Sequence, residues 1–363
     1  MSNRILKKPD FDQLINTLLS NGYEVYGPQV KEDAIVFDVL HSASQFPQFY
    51  GDEQRAGQYR LNKNNNQRWF AWANTAQGIK PLLFSPSEQL WTVTSHDGAI
   101  DFKATDSSHK PKAIIGVRNC DLVGLSLQDQ HFLGQETIDP YYQARREQLL
   151  LIAVNCTHPS QSCFCDATGD GPIVKAGYDI VLDELDDAFA IKAASESGEV
   201  ILDALPLTAS HPTYDQQIAK QHDTVKNISS ADLPAINIQR ALQKNADSSD
   251  WDELAKKCLA CGNCTAVCPS CFCYSEHDVP ALDGNCSQHI RQWDSCFNQS
   301  HSYIHGIVIR SEIKFRYRQW LTHKFSFWHD QYGRSGCSGC GRCITWCPVG
   351  IDVREAISEV CND

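Results

Sequence analysis

The chain contains two copies of one cysteine pattern, Cys258-x-x-Cys261-x-x-Cys264-x-x-x-Cys268-Pro269 and Cys337-x-x-Cys340-x-x-Cys343-x-x-x-Cys347-Pro348. Thiolates three residues apart share one corner of a tight turn or helical start, so three of them wrap a single [4Fe-4S] cubane. The fourth cannot readily reach back and ligates the neighbouring cluster. The spacing therefore predicts one cluster on Cys258, Cys261, Cys264 and Cys347, and a second on Cys337, Cys340, Cys343 and Cys268. Zinc also uses C-x-x-C pairs, but it takes four ligands in two pairs, and each run here offers a third cysteine at the same spacing.

Seventeen cysteines are present in all. The count is odd, the spacings are tight, and the amino-terminal stretch has no apolar core long enough for a secretion signal. These features argue against a disulfide framework and for thiolate ligands in a reducing compartment, which points to the cytoplasm. No stretch approaches the roughly 18 apolar residues of a spanning helix, so no direct membrane insertion is expected. A net charge of -12 without a basic arm excludes a phosphate-neutralising nucleic-acid binder.

Positioning the sulfurs falls to a chain of 363 residues, 42% hydrophobic, long enough for two or three domains with their own cores. A helix is expected in PDFDQLINTLLSNG, from the spacing of Phe11, Leu14, Ile15, Leu18 and Leu19, with Gly22 as its stop. Strands are expected in EVYGP, AIVFDVL and LWTVTS. The runs AIIGVRNC (113–120) and LLLIAVNC (149–156) both end in Asn-Cys and flank the helical pattern DLVGLSLQDQHFLG. Strand, helix, strand is the βαβ unit, and ligands of open parallel sheets sit beyond the carboxyl ends of the strands. Cys120 and Cys156 would then emerge side by side, and the following THPSQSCFC brings Cys163 and Cys165 to the same edge. Four converging thiolates are what a third [4Fe-4S] cluster needs; strand-end thiols beside a zinc hook are the other reading. Asp121 and Asp166 are spare carboxylates there, either of which could replace a sulfur.

These elements imply a fold class of α+β or α/β. Residues 1–230 form a mixed α/β domain with the βαβ unit and its cluster site, 231–250 a linker, and 251–363 a mainly helical ferredoxin-like dicluster domain with a long insertion at about 274–330. Cys271, Cys273, Cys286, Cys296 and Cys361 remain. The first two could join Cys286 or Cys296 in a fourth site, or pack as plain thiols beside a cluster with Phe272 as a shield. Arg310, Lys314, Arg316, Arg318 and Lys324, set among aromatics in RSEIKFRYRQWLTHKFSFW, could stabilise reduced clusters, meet an acidic partner, or line a solvated helix face. His305 and His323 read as hydrogen-bonded structural residues. No dinucleotide fingerprint, P-loop, nucleophile elbow or metalloprotease helix is present, so the chain looks equipped to pass electrons without a substrate site of its own.

Together, GVRNCDLVGL, DPYYQARREQLLLIAVNC, QSCFC, CLACGNCTAVCPSCFC, RQWDSC and GCSGCGRCITWCPVGID resemble the iron–sulfur β subunit of soluble sulfhydrogenase-type [NiFe] hydrogenases, a pattern shared with the corresponding iron–sulfur subunit of anaerobic sulfite reductase. The resemblance covers residues from about 110 to 355 and leaves the first hundred unmatched. It implies a non-catalytic electron-transfer subunit with three [4Fe-4S] clusters in a cytoplasmic hydrogenase. Its partners would be the hydrogenase small and large subunits and a flavin/[2Fe-2S] NAD(P)-reductase subunit, with FAD and NAD(P) only on that partner. The alternative is the equivalent subunit of anaerobic sulfite reductase, and a third reading is a stand-alone iron–sulfur redox sensor.

Overall fold

The computed structural model describes residues 3–134, 136–228 and 233–361. The first helix, Phe11–Ser20, presents Phe11, Leu14, Ile15 and Leu18 to the interior, as apolar residues three and four apart require. It lies on a sheet that, among the described residues, has eight strands in the order 208–209, 4–7, 188–193, 180–184, 149–154, 112–117, 24–31, 34–39. The four strands Glu24–Lys31, Lys112–Val117, Leu149–Val154 and Ile180–Glu184 run parallel, and the outer pairings are antiparallel.

Lys112–Val117 and Leu149–Val154 are immediate parallel neighbours, with the helices Asn119–Phe132 and Pro140–Glu147 between them in the chain. Both strands are buried on two faces, and alternation sorts their side chains. Ala113, Ile115, Leu150, Ile152 and Val154 enter the core shared with the first helix. Ile114, Val117, Leu151 and Ala153 enter the opposite core with Leu122, Leu125 and Phe132. The register shifts between Ile115 and Val117, at Gly116, whose φ is 93° and where a Cβ would stand 2.7 Å from the Phe70 ring. Such a bulge re-aims the residues after it, here Arg118, Asn119 and Cys120.

The carboxy-terminal region departs from the mainly helical expectation. Tyr274–Pro280 and Cys286–Trp293 form a hairpin whose second strand pairs with Ser87–His96, giving a second antiparallel sheet in the order 274–280, 286–293, 87–96, 99–104. The strand 274–280 is exposed along its whole length, so it has no apolar alternation to betray it, and its pairing is set by the ladder to 286–293. The short helix Ile238–Lys244, in the stretch read as a linker, buries Leu242 in a core with Trp251, Leu254, Phe297, Tyr317, Trp320, Leu321 and Ile357. Residues 231 and 232 of that stretch lie outside the described residues.

Candidate metal centre

The two cysteine runs have matching local backbones. Gly262 and Gly341 adopt left-handed φ values of 74° each before one-turn helices at Asn263–Ala266 and Arg342–Thr345, a conformation that glycine takes without a Cβ penalty. The amides of Ala260 and Gly339 each donate to the first cysteine of their run, Cys258 and Cys337, at 3.3 Å. The Ile351 amide donates to Cys347 at 3.3 Å. Amides aimed at sulfur stabilise a thiolate and help set the potential of what it binds.

Each sulfur set predicted from the spacing lines a cavity. Cys258, Cys261, Cys264 and Cys347 line one, with Phe297, Tyr317 and Trp320 on its walls and Cys343 at its border. Cys268, Cys337, Cys340 and Cys343 line the next, with Phe164, Trp320 and Lys324, and Cys264 at the shared border. Cys347 thus lines the cavity of the first run and Cys268 that of the second, the positions a crossing of fourth ligands would require. Burial raises the Cys264 and Cys343 thiols well above their ordinary range, with the neighbouring sulfurs adding to it. Burial likewise pushes Cys337 up to about 12. Sulfurs crowded in this way favour a bound cation, which takes the place of their protons. The buried Tyr317 hydroxyl and Trp320 indole N–H have no protein partner among the described residues. Both residues line the first cavity, where a cluster's sulfide or thiolate sulfur would accept those hydrogens. The donor set, the cavities and these two donors fit [4Fe-4S] clusters. Among the described residues no group of three or more His, Cys, Asp or Glu is placed to hold a single metal ion, so the case rests on the sulfur sets and the cavities they line.

Cys120 lies on the first turn of Asn119–Phe132, and Cys156 follows Leu149–Val154 by two residues. The loop with Cys163 and Cys165 packs against the second ferredoxin-type run. The Phe164 amide donates to the Gly339 carbonyl at 2.8 Å, and the Cys163 thiol to the Cys340 carbonyl at 3.7 Å. Gly341 is needed there because a Cβ would meet the Ser162 carbonyl oxygen at 2.3 Å. Burial raises the Cys165 thiol, and the nearby Cys163 and Cys156 raise it further. Cys120 is raised by burial and Asp121, with Cys340 and Cys165 also in reach. The structure thus gathers Cys120, Cys156, Cys163 and Cys165 beside Cys340. Asn74 joins the two sets by donating to the Cys340 carbonyl at 2.8 Å and toward Cys163 at 3.9 Å. Of the two carboxylates singled out in the sequence, Asp166 is exposed, whereas Asp121 is fully buried and accepts from Arg342 at 2.9 Å.

Three buried cations are not legible as such in the sequence. Arg342 is fully buried and also donates to the Thr75 carbonyl at 2.6 Å. Lys324 donates to Cys268 at 3.4 Å, to Ser270 at 3.0 Å and to the Gly336 carbonyl at 3.1 Å. Lys80 lies 3.9 Å from the Trp293 ring centroid and donates to the Thr265 carbonyl at 3.2 Å; burial lowers its pKa to about 8. The one available signal is the proximity of Arg342 and Lys324 to the cysteine runs. Within the basic-aromatic stretch, Arg316 is buried against the Phe297 carbonyl and Tyr317 and Trp320 are core, while Lys314 pairs with Asp252 at 3.0 Å. His323 accepts from the Trp328 indole at 3.0 Å, and His305 is exposed. Of the remaining cysteines, Cys271 meets Cys268 and Cys273 meets Cys296. Cys286 pairs across the second sheet with Thr94, and Cys361 is buried in the last helix.

Phe272 stacks on His131, with ring centroids 3.7 Å apart, and burial lowers the His131 pKa to about 4. An unfolded histidine takes up its proton near pH 6.5, so the folded state disfavours a proton that the unfolded chain binds. The resulting stability is complete above about pH 6.5 and is lost as the pH falls toward 4. His131→Gln is expected to flatten the dependence of the denaturation midpoint on pH between about 6.5 and about 5, measured against the unaltered protein.

Residues 257–351, a span that holds all eight ferredoxin-type cysteines, match the family model described as a 4Fe-4S dicluster domain. The chain carries a dicluster domain. Over 346 residues, 88% of this chain and 97% of the relative, the sequence is 27% identical to sulfhydrogenase 2 subunit beta of Pyrococcus furiosus. The two matches support the sulfhydrogenase β-subunit family and an iron–sulfur electron-transfer role. No solved structure gives a significant match. Outside the dicluster domain the similarity extends over the region that supplies Cys120, Cys156, Cys163 and Cys165, since the alignment spans most of the chain.

Proposed function

We propose that this protein is the electron-relay subunit of a cytoplasmic [NiFe] hydrogenase, carrying three [4Fe-4S] clusters between the hydrogenase small and large subunits and a flavin/[2Fe-2S] subunit that handles NAD(P). The observation that supports this most is the contiguity of the sulfur sets. Cys264 and Cys343 stand at the border of the two dicluster cavities, and Cys163 and Cys165 pack against the residues around Cys340. Clusters bound there supply one-electron carriage. The chain's own residues space the sulfurs, aim amides at them and surround them with Phe164, Trp320 and Phe297, which exclude water. At the other end of the row Cys261 is exposed, and Leu259 and Val349 beside it are 62% and 43% exposed. Electrons can therefore leave through an apolar edge fit for a protein partner. Among the described residues no helix is long and apolar enough to cross a membrane.

Anaerobic isolation from the native host tests the proposal. Nickel-containing subunits and a flavin subunit are expected to co-purify, with H2-dependent reduction of NAD(P). Sirohaem with sulfite-dependent oxidation of NAD(P)H, or a chain isolated without partners, would overturn it. For the third set, the double variant Cys163→Ser/Cys165→Ser is expected to lose about four iron atoms per chain. Iron and sulfide analysis showing no loss would remove that cluster from the proposal.

A further inference from the structure

Two cysteines outside the three sulfur sets touch each other. Cys273 ends the loop before Tyr274–Pro280, and Cys296 follows Cys286–Trp293. The hairpin register Tyr274 to Trp293 continues one step further, with the Asp294 amide donating to the Cys273 carbonyl at 2.9 Å. This backbone pairing holds the two Sγ atoms 3.9 Å apart. A disulfide needs about 2.05 Å, a gap within reach of side-chain rotation.

The surroundings favour thiol exchange at this pair. Cys296 is 7% exposed, whereas Cys273 is half-buried and lines an open cavity with Lys80, Cys271, Trp293, Asp294 and Asn298. The Trp328 indole can only donate, so His323 Nε2 accepts from it and the ring proton resides on Nδ1. Contact with Cys273, and then with His323, holds the Cys296 thiol below its ordinary range, while the same contact, with burial, raises Cys273. Cys296 is thus placed to take the Cys273 proton as Cys273 attacks. Lys80 and Asp294 place charges of both signs on the cavity wall.

We propose that Cys273 and Cys296 form a reversible dithiol–disulfide site that exchanges with small disulfides entering this cavity. The Cys273 sulfur attacks the incoming disulfide, whose S–S bond breaks and releases one thiol. The Cys296 sulfur then attacks Cys273, breaking the mixed disulfide and releasing the second thiol. The two protein thiols lose two electrons and two protons; the incoming disulfide gains both and leaves as two thiols. Neither sulfur belongs to the three sulfur sets, although Cys261 of the first set lines the same cavity; the chemistry of the pair stands whether or not the hydrogenase reading holds.

The test poises the anaerobic holoprotein in glutathione buffers of increasing oxidised fraction, followed by acid quench, alkylation and peptide mass spectrometry. A Cys273–Cys296 cross-linked peptide is expected, reversible by dithiothreitol at unchanged iron content. Cys296→Ser is expected to trap glutathione on Cys273 instead. The proposal is overturned if no cross-link forms at any ratio. It is equally overturned if Cys273→Ser and Cys296→Ser each lose iron, because the pair would then be metal ligands.

Discussion

Replacing Arg342 with Met is expected to be among the most damaging single changes in this protein, lowering stability by about 3–5 kcal/mol. Arg342 and Asp121 are 0% and 1% exposed at their side chains and meet at 2.9 Å. The methionine would fill much of the arginine's volume, but it would leave the Asp121 carboxylate buried without a cation. Asp121 is one residue from Cys120, and Arg342 sits between Cys340 and Cys343, so the pair ties the third sulfur set to the dicluster domain. Loss of the pair should therefore also loosen the Cys120 set and release iron. The denaturation midpoint of the anaerobic holoprotein measures the first effect, and iron analysis before denaturation measures the second. Arg342→Met combined with Asp121→Asn is expected to recover much of the loss, because the stranded charge is gone. If the single variant matches the unaltered protein in both measurements, the ion pair does not hold the two parts together.

Much of the candidate site can be proposed from sequence because cluster chemistry constrains sequence directly. Three sulfurs at a fixed spacing and a fourth that must cross to the neighbour leave a local signature, and the βαβ argument brought Cys120 and Cys156 to one sheet edge from two apolar runs. The strands themselves were readable for the same reason: residues buried on both faces, such as Ala113–Ile115 and Leu150–Val154, make continuous apolar runs. The features that escaped reading depend on contacts between distant parts of the chain. The hairpin 274–293 is polar where it is exposed, and it is a strand pair because Ser87–His96 offers it an edge. Nothing near Lys80 in sequence announces Cys271, whose carbonyl it reaches across a separation of 191 residues. Arg342 reads as an ordinary charged residue between two ligands until the fold places Asp121 against it. The repeated SCFC shows the same limit: Ser162–Cys165 packs under Gly339 and Gly341, while Ser270–Cys273 leads from Lys324 to Cys296. Identical letters thus enter different surroundings.

Lys324→Met is expected to make the cluster proposed on Cys337, Cys340, Cys343 and Cys268 harder to reduce. Reduction adds negative charge, and a buried cation nearby favours it. Lys324 is 5% exposed and its ammonium lies 3.4 Å from the Cys268 sulfur, in surroundings where water screens little. One charge removed at such range, together with an N–H to sulfur hydrogen bond, is expected to lower the potential by on the order of 100 mV. The variant should still fold, because the Ser270 hydroxyl donates to the Gly336 carbonyl at 2.5 Å and keeps that acceptor paired when the lysine is lost. Methionine also preserves the apolar stem against Trp328, over whose ring the ammonium sits at 5.1 Å. A redox titration followed by electron paramagnetic resonance separates the clusters by their signals. The shift should fall on the cluster nearest Lys324 and leave the Cys258, Cys261, Cys264 and Cys347 cluster nearly unmoved. Lys80 gives the internal control: its ammonium faces Cys271 and, beyond it, Cys268, so Lys80→Met should move the same cluster in the same direction by less. Unchanged potentials in both variants would show that these cations serve packing and carbonyl pairing, and that the backbone amides alone tune the relay.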